Sequence, residues 1–143
     1  MNINYKSPGA LEETRFEKIH SVIFDDSKNG SLAIAKEISD LIRNKQKQNK
    51  NCVLGLATGS SPISLYQELV RMHKEDGLSF KNVICFNLDE YYPMSSDDVN
   101  SYHHFMNVHL FDHIDIQKDN VNIPKGIIEK EKINNYCSKY EEK

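Results

Sequence analysis

Short apolar runs recur along the chain, and each is bounded by residues that favour turns. The runs occupy residues 19–24, 52–57, 83–88 and 120–124. Apolar runs of this length between turn-forming residues are typical of β-strands. In the second and third runs the apolar residues follow one another with little polar alternation, which predicts strands buried on both faces, as in a parallel sheet.

The two segments that separate the first three runs have the apolar periodicity of helices. The first helix is predicted to begin at Asp26 or Ser27, since either side chain can cap it, and the second to run from Pro62 to Gly77. Each helix should bury one face against the strands beside it. The apolar stripes consist of Ile34, Ile38, Leu41 and Ile42 in the first helix, and of Leu65, Leu69 and Met72, flanked by Ile63, Tyr66 and Val70, in the second.

Two further helices are predicted at residues 101–113 and 129–142. The order β-α-β-α-β-α-β-α predicts a doubly wound α/β fold with a mostly parallel sheet and right-handed crossovers. The chain ends in a helix, and about four strands leave an unprotected sheet edge. We therefore expect a sheet truncated after about four strands. Residues 1–15 are expected to form an irregular N-terminal extension, and residues 16–143 the N-terminal part of one domain.

Composition narrows the function class. The 143 residues carry a net charge of −3; the charged fraction of 27% is usual for a globular domain, whereas the hydrophobic fraction of 38% is on the low side. Basic residues are scattered apart from the stretch 43–50, which is expected to be a solvated helix end, so nucleic acid is not an expected partner. No apolar run approaches the ~20 residues that span a bilayer, and the first fifteen residues lack the apolar core of a secretory signal, so no membrane partner is expected.

The cysteines and histidines do not indicate a disulfide framework or a metal site. Cys52, Cys85 and Cys137 are odd in number and lack a CxxC spacing, which favours a reducing, cytoplasmic location. His109 and His113 are four residues apart on a predicted helix, but no HExxH motif or cysteine pair accompanies them. The apolar neighbours Phe105, Leu110 and Phe111 are expected to be core residues.

The segment that follows the second apolar run has the properties of a phosphate loop. Gly59 permits a tight turn, Ser61 is the predicted N-cap, and Pro62 suits the first position of a helix. The hydroxyls of Thr58 and Ser60 lie beside the unpaired amides of that helix start, which is an anion-binding arrangement. The segment lacks both the GK[ST] ending of a Walker A loop and the GxGxxG fingerprint. The alternative is a plain strand-to-helix turn with a good cap.

Two carboxylates follow the third apolar run. Asp89 and Glu90 are predicted to lie at the carboxyl edge of the sheet, the edge that also carries residues 58–61, where ligands bind in open α/β sheets. Adjacent side chains alternate in direction, so at most one carboxylate should face the crevice. A partly desolvated carboxylate there can act as a general base. The alternative is a solvated acidic turn.

From about Val53 onward, several motifs in matching order and spacing closely resemble those of glucosamine-6-phosphate deaminases. The N-terminal extension resembles that of longer, Bacteroidetes-type members in which a second domain follows. The motifs are LGLATGSSP at 54–62, SFK at 79–81, FNLDEY at 86–91, SY at 101–102, FM at 105–106 and FDHIDI at 111–116. In this chain Ser60 and Ser61 stand where many members have Gly-Thr, which retains a small residue and a hydroxyl.

The resemblance implies a Rossmann-like sheet and conversion of glucosamine 6-phosphate and water to fructose 6-phosphate and ammonia, in amino sugar catabolism, without a metal or organic cofactor. The partner is then a small-molecule sugar phosphate, and the complete enzyme is expected to be a homo-oligomer. The resemblance also implies the roles of individual residues. Thr58, Gly59, Ser60 and Ser61 would line the sugar-phosphate site, Asp89 would be the base that moves a proton between C2 and C1, and Tyr91 and Tyr102 would be pocket walls.

The family's downstream Asp-Gly-His and Asn-Glu-Pro segments do not occur in the chain. The resemblance therefore predicts an incomplete fragment, in which the isolated polypeptide releases little ammonia. One alternative is a 6-phosphogluconolactonase-like hydrolase, which shares the fold and the phosphate loop, although Asp89-Glu90-Tyr91 favours the deaminase. A non-catalytic sugar-phosphate-binding module is the other alternative. A regulator of that kind needs a helix-turn-helix, and the first fifty residues show no convincing one.

Overall fold

A computed structural model of the protein describes residues 22–143. The elements alternate as predicted, and 3₁₀ turns lie at Phe111–His113, Lys118–Asn120 and Lys130–Lys132. The predicted extension 1–15 and residues 19–21 of the first predicted strand lie outside the described residues, and residues 22–24 contain only an isolated bridge at Ile23. The regular elements are α1 (Ser27–Lys47), β1 (Cys52–Leu56), α2 (Ile63–Asp76), β2 (Val83–Asn87), α3 (Tyr102–His109), β3 (Val121–Asn122) and α4 (Ile133–Glu141).

The described strands form one parallel sheet in the order β1-β2-β3. The register of β1 and β2 runs from Cys52 opposite Val83 to Leu56 opposite Asn87. Strand β3 is short and pairs only with the middle of β2. The predicted α/β class and parallel sheet are therefore confirmed, with three strands in the described part of the chain rather than about four.

The two faces of this sheet differ in how well they are covered. Cys52, Leu56, Val83 and Cys85 belong to one core cluster with residues of α1, α2 and α3. On the opposite face, Phe86 makes an edge contact with Tyr140 of α4, at 6.1 Å between ring centroids. Val53 of β1 is 60% exposed. The prediction that β1 is buried on both faces is thus wrong among the described residues, because α4 reaches β2 and β3 but leaves β1 uncovered.

Helix α1 buries only part of the predicted stripe, with Ile42 in the core and Ile38 packed partly buried against it. Asp26 caps it by accepting a hydrogen bond from the Asn29 amide at 2.7 Å. The fully buried positions on its central face are Ala35, Ser39 and Ile42, whereas Ile34 and Leu41 remain 48% and 42% exposed. The small side chains at 35 and 39 let the helix approach its neighbours closely, which turns the larger Ile34 and Leu41 outward. The prediction for those two residues is wrong.

The ends of the later helices follow the sequence signals with small shifts. Gly77, with φ of +67°, ends α2 in the left-handed conformation. Helix α3 ends at His109, and a 3₁₀ turn follows it up to His113. The α-helix is therefore shorter than the predicted range 101–113. Helix α4 begins at Ile133, not at 129, after its own 3₁₀ turn. Leu110 and Phe111 are core residues, as predicted, and Phe105 packs half-buried against them.

Two of the three thiols are structural. Cys52 and Cys85 are fully buried and unpaired, and burial raises the pKa of Cys85 to about 11. Both therefore behave as small apolar groups, as predicted, while Cys137 is exposed. Among residues 22–143, none of the helices combines the length and apolarity that a membrane span requires.

The edge of the sheet where β2 begins is fastened by Asp115. Its carboxylate accepts hydrogen bonds from the Phe80 amide at 2.6 Å and from the Ser79 hydroxyl at 2.8 Å. Burial acts to raise the pKa of Asp115, but these hydrogen bonds and the nearby His73 outweigh it and hold the pKa of this carboxyl below its ordinary value. The ionised form is therefore favoured in the folded chain.

We predict that Asp115→Asn lowers the free energy of unfolding by about 1–2 kcal/mol at pH 7, because it removes charge-assisted hydrogen bonds. The folded-state pKa is depressed, so this stabilisation is complete above the unfolded-state pKa of about 3.9 and is lost as pH falls through the folded-state value. Urea titrations at pH 7 and at about pH 3 measure the difference in unfolding free energy between the unaltered chain and the variant. This difference should be smaller at the acidic pH. Asp119→Asn, at an exposed carboxylate, is the control, and a pH-independent difference would contradict the prediction.

Candidate active site

The predicted site residues lie at the ends of two neighbouring strands. Leu56 and Asn87 face each other in the last paired register of β1 and β2. Thr58 and Asp89 are each two residues beyond this pair, on the same edge of the sheet. Parallel strands are about 4.8 Å apart, so the two segments leave the sheet side by side. The sequence expectation that the loop and the carboxylates share the carboxyl edge is confirmed.

Side chains satisfy the backbone carbonyls where these strands end. Tyr66 of α2 donates its hydroxyl to the Ala57 carbonyl, and the buried Asn87 amide donates to Leu56 O at 3.1 Å. The Tyr140 hydroxyl of α4 lies 2.8 Å from Asn87 O and 3.0 Å from Asn122 O. Burial raises the pKa of both tyrosines to about 12, so they remain protonated donors. The sequence did not reveal these roles of Asn87, Tyr66 and Tyr140. Their hydrogen-bond acceptors lie 9 to 53 residues away in the chain, so local patterns do not show them.

The loop at 58–62 turns as predicted but is capped differently. Gly59 has φ of +103°, a conformation that other residues rarely adopt. Helix α2 starts at Ile63, and the cap position is Pro62, which makes no side-chain capping bond. The prediction that Ser61 is the N-cap is therefore wrong. A tight turn, closed by a 3.4 Å bond from the Ile63 amide to Ser60 O, places Ser61 outside the helix start.

This turn leaves backbone donors without protein acceptors. Within the described part of the chain, the amides of Gly59, Ser60 and Ser61 donate no hydrogen bond to another residue. The three residues are also solvent-exposed. Consecutive free amides ahead of a helix are suited to bind an anion.

Glu90 is the buried member of the carboxylate pair. Its side chain is 1% exposed. One oxygen accepts from the amides of Tyr91 and Tyr102 at 2.9 Å each, and the other from the His103 amide at 3.1 Å and the His103 ring at 2.9 Å. Burial acts to raise the pKa of Glu90, but these four donors outweigh it and hold the pKa below its ordinary value. An ionised carboxylate with all its acceptor sites occupied cannot take a proton from a substrate.

Asp89 is the member of the pair whose carboxylate has no hydrogen-bond partner among the described residues, although both residues border one cavity. It is solvent-exposed and lines a cavity of about 380 Å³. The other walls of this cavity come from the ends of β2 and β3 and from α4, and they include Tyr92, Pro124, Tyr136 and Tyr140. The loop 58–61 does not line this cavity, so the phosphate loop and the Asp89 cavity are adjacent regions of one edge and not a single enclosed pocket in the described structure.

Tyr102 connects these two regions. Its ring lies 4.7 Å from the ring of Tyr91, tilted by 43°. A hydrogen bond with the Tyr91 hydroxyl raises the pKa of Tyr102, the Thr58 hydroxyl acts in the opposite direction, and the charge of Asp89 raises it further. The Tyr91 ring thus contacts Tyr102, the Thr58 hydroxyl and the Asp89 charge are near enough to affect the pKa of Tyr102, and Gly59, Ser60 and Ser61 follow directly from Thr58.

The histidines near this edge have structural partners. The His103 ring is bonded to Glu90, and His113 contacts Val108 O at 2.9 Å. Among the described residues, no three His, Cys, Asp or Glu side chains are grouped as a metal ion would require.

We predict that Gly59→Ala lowers the free energy of unfolding by about 1–3 kcal/mol, because the backbone at this position is strained for any residue with a Cβ. A Cβ placed there meets no atom within 4 Å, so the cost comes from the backbone angle alone. Gly55→Ala is a matched control, since its Cβ also enters open space but its φ is ordinary. Chemical denaturation measures both variants, and equal losses would show that the angle is not the cause.

Comparisons with known proteins agree with this geometry. A family profile described as glucosamine-6-phosphate isomerases/6-phosphogluconolactonase matches residues 25–143. A Bacteroides thetaiotaomicron protein described as glucosamine-6-phosphate deaminase-like is 46% identical over 142 residues, covering 97% of this chain and 21% of its own length. Glucosamine-6-phosphate deaminase of a Thermoanaerobacter species is 46% identical over 109 residues, or 76% of this chain and 42% of the relative.

Solved structures show the same relationship. A protein described as a monomeric glucosamine-6-phosphate deaminase superposes with a TM-score of 0.76 and 39% identity, over 83% of this chain and 47% of the other. A 6-phosphogluconolactonase from Thermotoga maritima shares the fold, with a TM-score of 0.64 and 19% identity over 83% of this chain and 50% of that one. The chain thus spans from about a fifth to about half the length of these relatives. It belongs to the glucosamine-6-phosphate isomerase/6-phosphogluconolactonase family.

Proposed function

We propose that this chain binds an aminosugar phosphate and supplies the base for a glucosamine-6-phosphate deaminase reaction. In this proposal Thr58, Gly59, Ser60 and Ser61 hold the phosphate, and Asp89 moves the proton. Tyr91 and Tyr102 form the wall between them. The observation that carries the proposal is the position of Thr58 and Asp89, each two residues beyond the last paired residues of neighbouring strands, with the rings of Tyr91 and Tyr102 in contact beside them.

The free amides at 59–61 support the phosphate part of the proposal. They are exposed, have no protein acceptor in the described residues, and precede the positive end of the α2 dipole. The carbonyls beside them are already occupied by Tyr66 and Asn87. The exposed backbone groups after β1 are therefore mainly donors, which suits a phosphate.

The chemistry requires one base that serves two adjacent carbons. Asp89 would take the proton from C2 of the open-chain aldose, and the electron pair of that bond forms the C1–C2 double bond while the C1 oxygen gains a proton. Asp89 then returns its proton to C1, which leaves a C2 imine. Water hydrolyses the imine to the ketose and ammonia. A single exposed carboxylate suits both transfers, since general acid–base catalysis needs the group within reach of the carbon.

Several finer assignments belong to the same proposal. We place the reaction in cytoplasmic amino sugar catabolism, downstream of N-acetylglucosamine, and assign residues 16–143 to the N-terminal part of a sugar-phosphate isomerase/deaminase domain after an extension at 1–15. The expected homo-oligomer stays a prediction, and one matched relative is described as monomeric. The reaction releases ammonia by hydrolysis of a C–N bond, so it is a hydrolase reaction in the broad sense.

Exchange of the C2 and C1 protons with solvent tests the base directly. The open-chain sugar forms in water without an enzyme, so the assay does not depend on ring opening by the protein. We predict that the chain promotes deuterium incorporation from D₂O into glucosamine 6-phosphate or fructose 6-phosphate, and that Asp89→Asn slows it by about 10²-fold or more. Proton NMR of the sugar measures the exchange, and an ammonia assay runs beside it.

Asp97→Asn is the matched control, because this carboxylate is also exposed and makes no side-chain hydrogen bond among the described residues. It should leave the exchange rate unchanged. Hydrolysis of a phosphogluconolactone without any exchange would favour the lactonase alternative. Binding of the sugar phosphate without exchange in the unaltered chain would favour a non-catalytic binding module.

A further inference from the structure

We infer that Glu90 is a positioning residue for the proposed site: its carboxylate clamps the end of β2 to the start of α3 and thereby places Asp89, Tyr91 and Tyr102. The ligand part of this inference rests on the proposed function. The clamp itself rests on the geometry of the described residues alone.

The clamp joins two segments that are distant in the chain. Tyr91 belongs to the exit of β2, whereas Tyr102 and His103 are the first two residues of α3. One carboxylate accepts the amides of all three, at 2.9 to 3.1 Å. The loop between the segments is mostly exposed, so this buried contact determines how the two segments meet.

The clamped residues are those that form the wall of the site. Glu90 holds the backbone amides of Tyr91 and Tyr102, and the rings of the same two tyrosines touch at 4.7 Å. The Thr58 hydroxyl of the phosphate loop is near enough to the Tyr102 hydroxyl to lower the pKa of Tyr102. Movement of either clamped segment would therefore separate the tyrosines from each other or from the loop.

Asp89 is placed by the same clamp. Asp89 directly precedes Glu90 in the chain, so the hydrogen bonds that hold the Glu90 carboxylate also restrict the backbone from which Asp89 projects. The Glu90 side chain is 1% exposed, while Asp89 is exposed on the cavity side. Releasing Glu90 would remove this restriction on the direction of the proposed base.

Helix capping alone does not account for the arrangement. Ser101 already caps α3 by accepting from the His104 amide at 3.0 Å. Glu90 additionally engages the Tyr91 amide and the His103 ring, neither of which is part of a helix cap. A group that only stabilised α3 would not need these two donors.

The test compares Glu90→Gln with Asp115→Asn in the full chain. The glutamine places an NH₂ donor against N–H groups that need an acceptor. Asp115→Asn removes an equally charge-assisted clamp at the opposite edge of the sheet, so it controls for loss of stability. Calorimetry with glucosamine 6-phosphate and with inorganic phosphate measures binding, and NMR measures the Tyr91–Tyr102 and Tyr102–Thr58 contacts.

We expect Glu90→Gln to weaken the affinity for glucosamine 6-phosphate by about tenfold or more and to abolish both NMR contacts. The affinity for inorganic phosphate should change less than about threefold, because the loop amides bind it in this proposal. Asp115→Asn should retain both contacts and full affinity. Retention of the contacts in Glu90→Gln, or equal losses in the two variants, would overturn the inference. If the unaltered chain binds no sugar phosphate, the proposed function fails. The two NMR contacts then still test whether Glu90 holds the two segments together.

Discussion

The backbone at the carboxyl edge of a parallel sheet has polar groups that the sheet itself cannot satisfy, and this constraint organises the site. Side chains from α2, β2 and α4 supply donors to four strand-end carbonyls. Leaving such groups buried and unpaired would cost about 1–3 kcal/mol each. The donors that remain free are the amides of the loop after β1. In the proposed function, these free donors beside carbonyls that already have partners are the feature that favours an anion at this end of β1.

The same edge shows how two adjacent carboxylates acquire different properties. Glu90 remains ionised inside the protein because four donors surround it, and the start of α3 contributes two of them together with the positive end of its dipole. Asp89 has no such partners among the described residues and remains accessible. The free-energy cost of burying a charge is therefore borne by Glu90, which takes no part in the chemistry of the proposed function. The reactive carboxylate keeps its accessible oxygens.

The sequence predicted the class of the fold, its parallel sheet and the shared edge of the two candidate segments, because these follow from apolar runs, turn residues and the order of elements along the chain. It did not predict fully which residues of α1 face the core. Periodicity identifies a helix, but close packing at Ala35 and Ser39 decided which face is buried. The prediction that both faces of β1 are buried was also wrong, since a continuous apolar run does not specify whether helices pack on both faces of the strand.

Within the proposed site, the sequence pointed to candidate ligand-binding residues better than to the residues that support them. Thr58 and Asp89 each directly follow an apolar strand, and the family resemblance selected them. The supporting roles of Glu90 and Asn87 were not recognisable, since their partners are 12 and 31 residues away and appear only when the chain folds. Alternation showed that one carboxylate must turn inward but not which one, and the helix start at Tyr102 decides this. The supporting residues are therefore the part of an active site that most needs a structure, because their roles exist only in tertiary contacts.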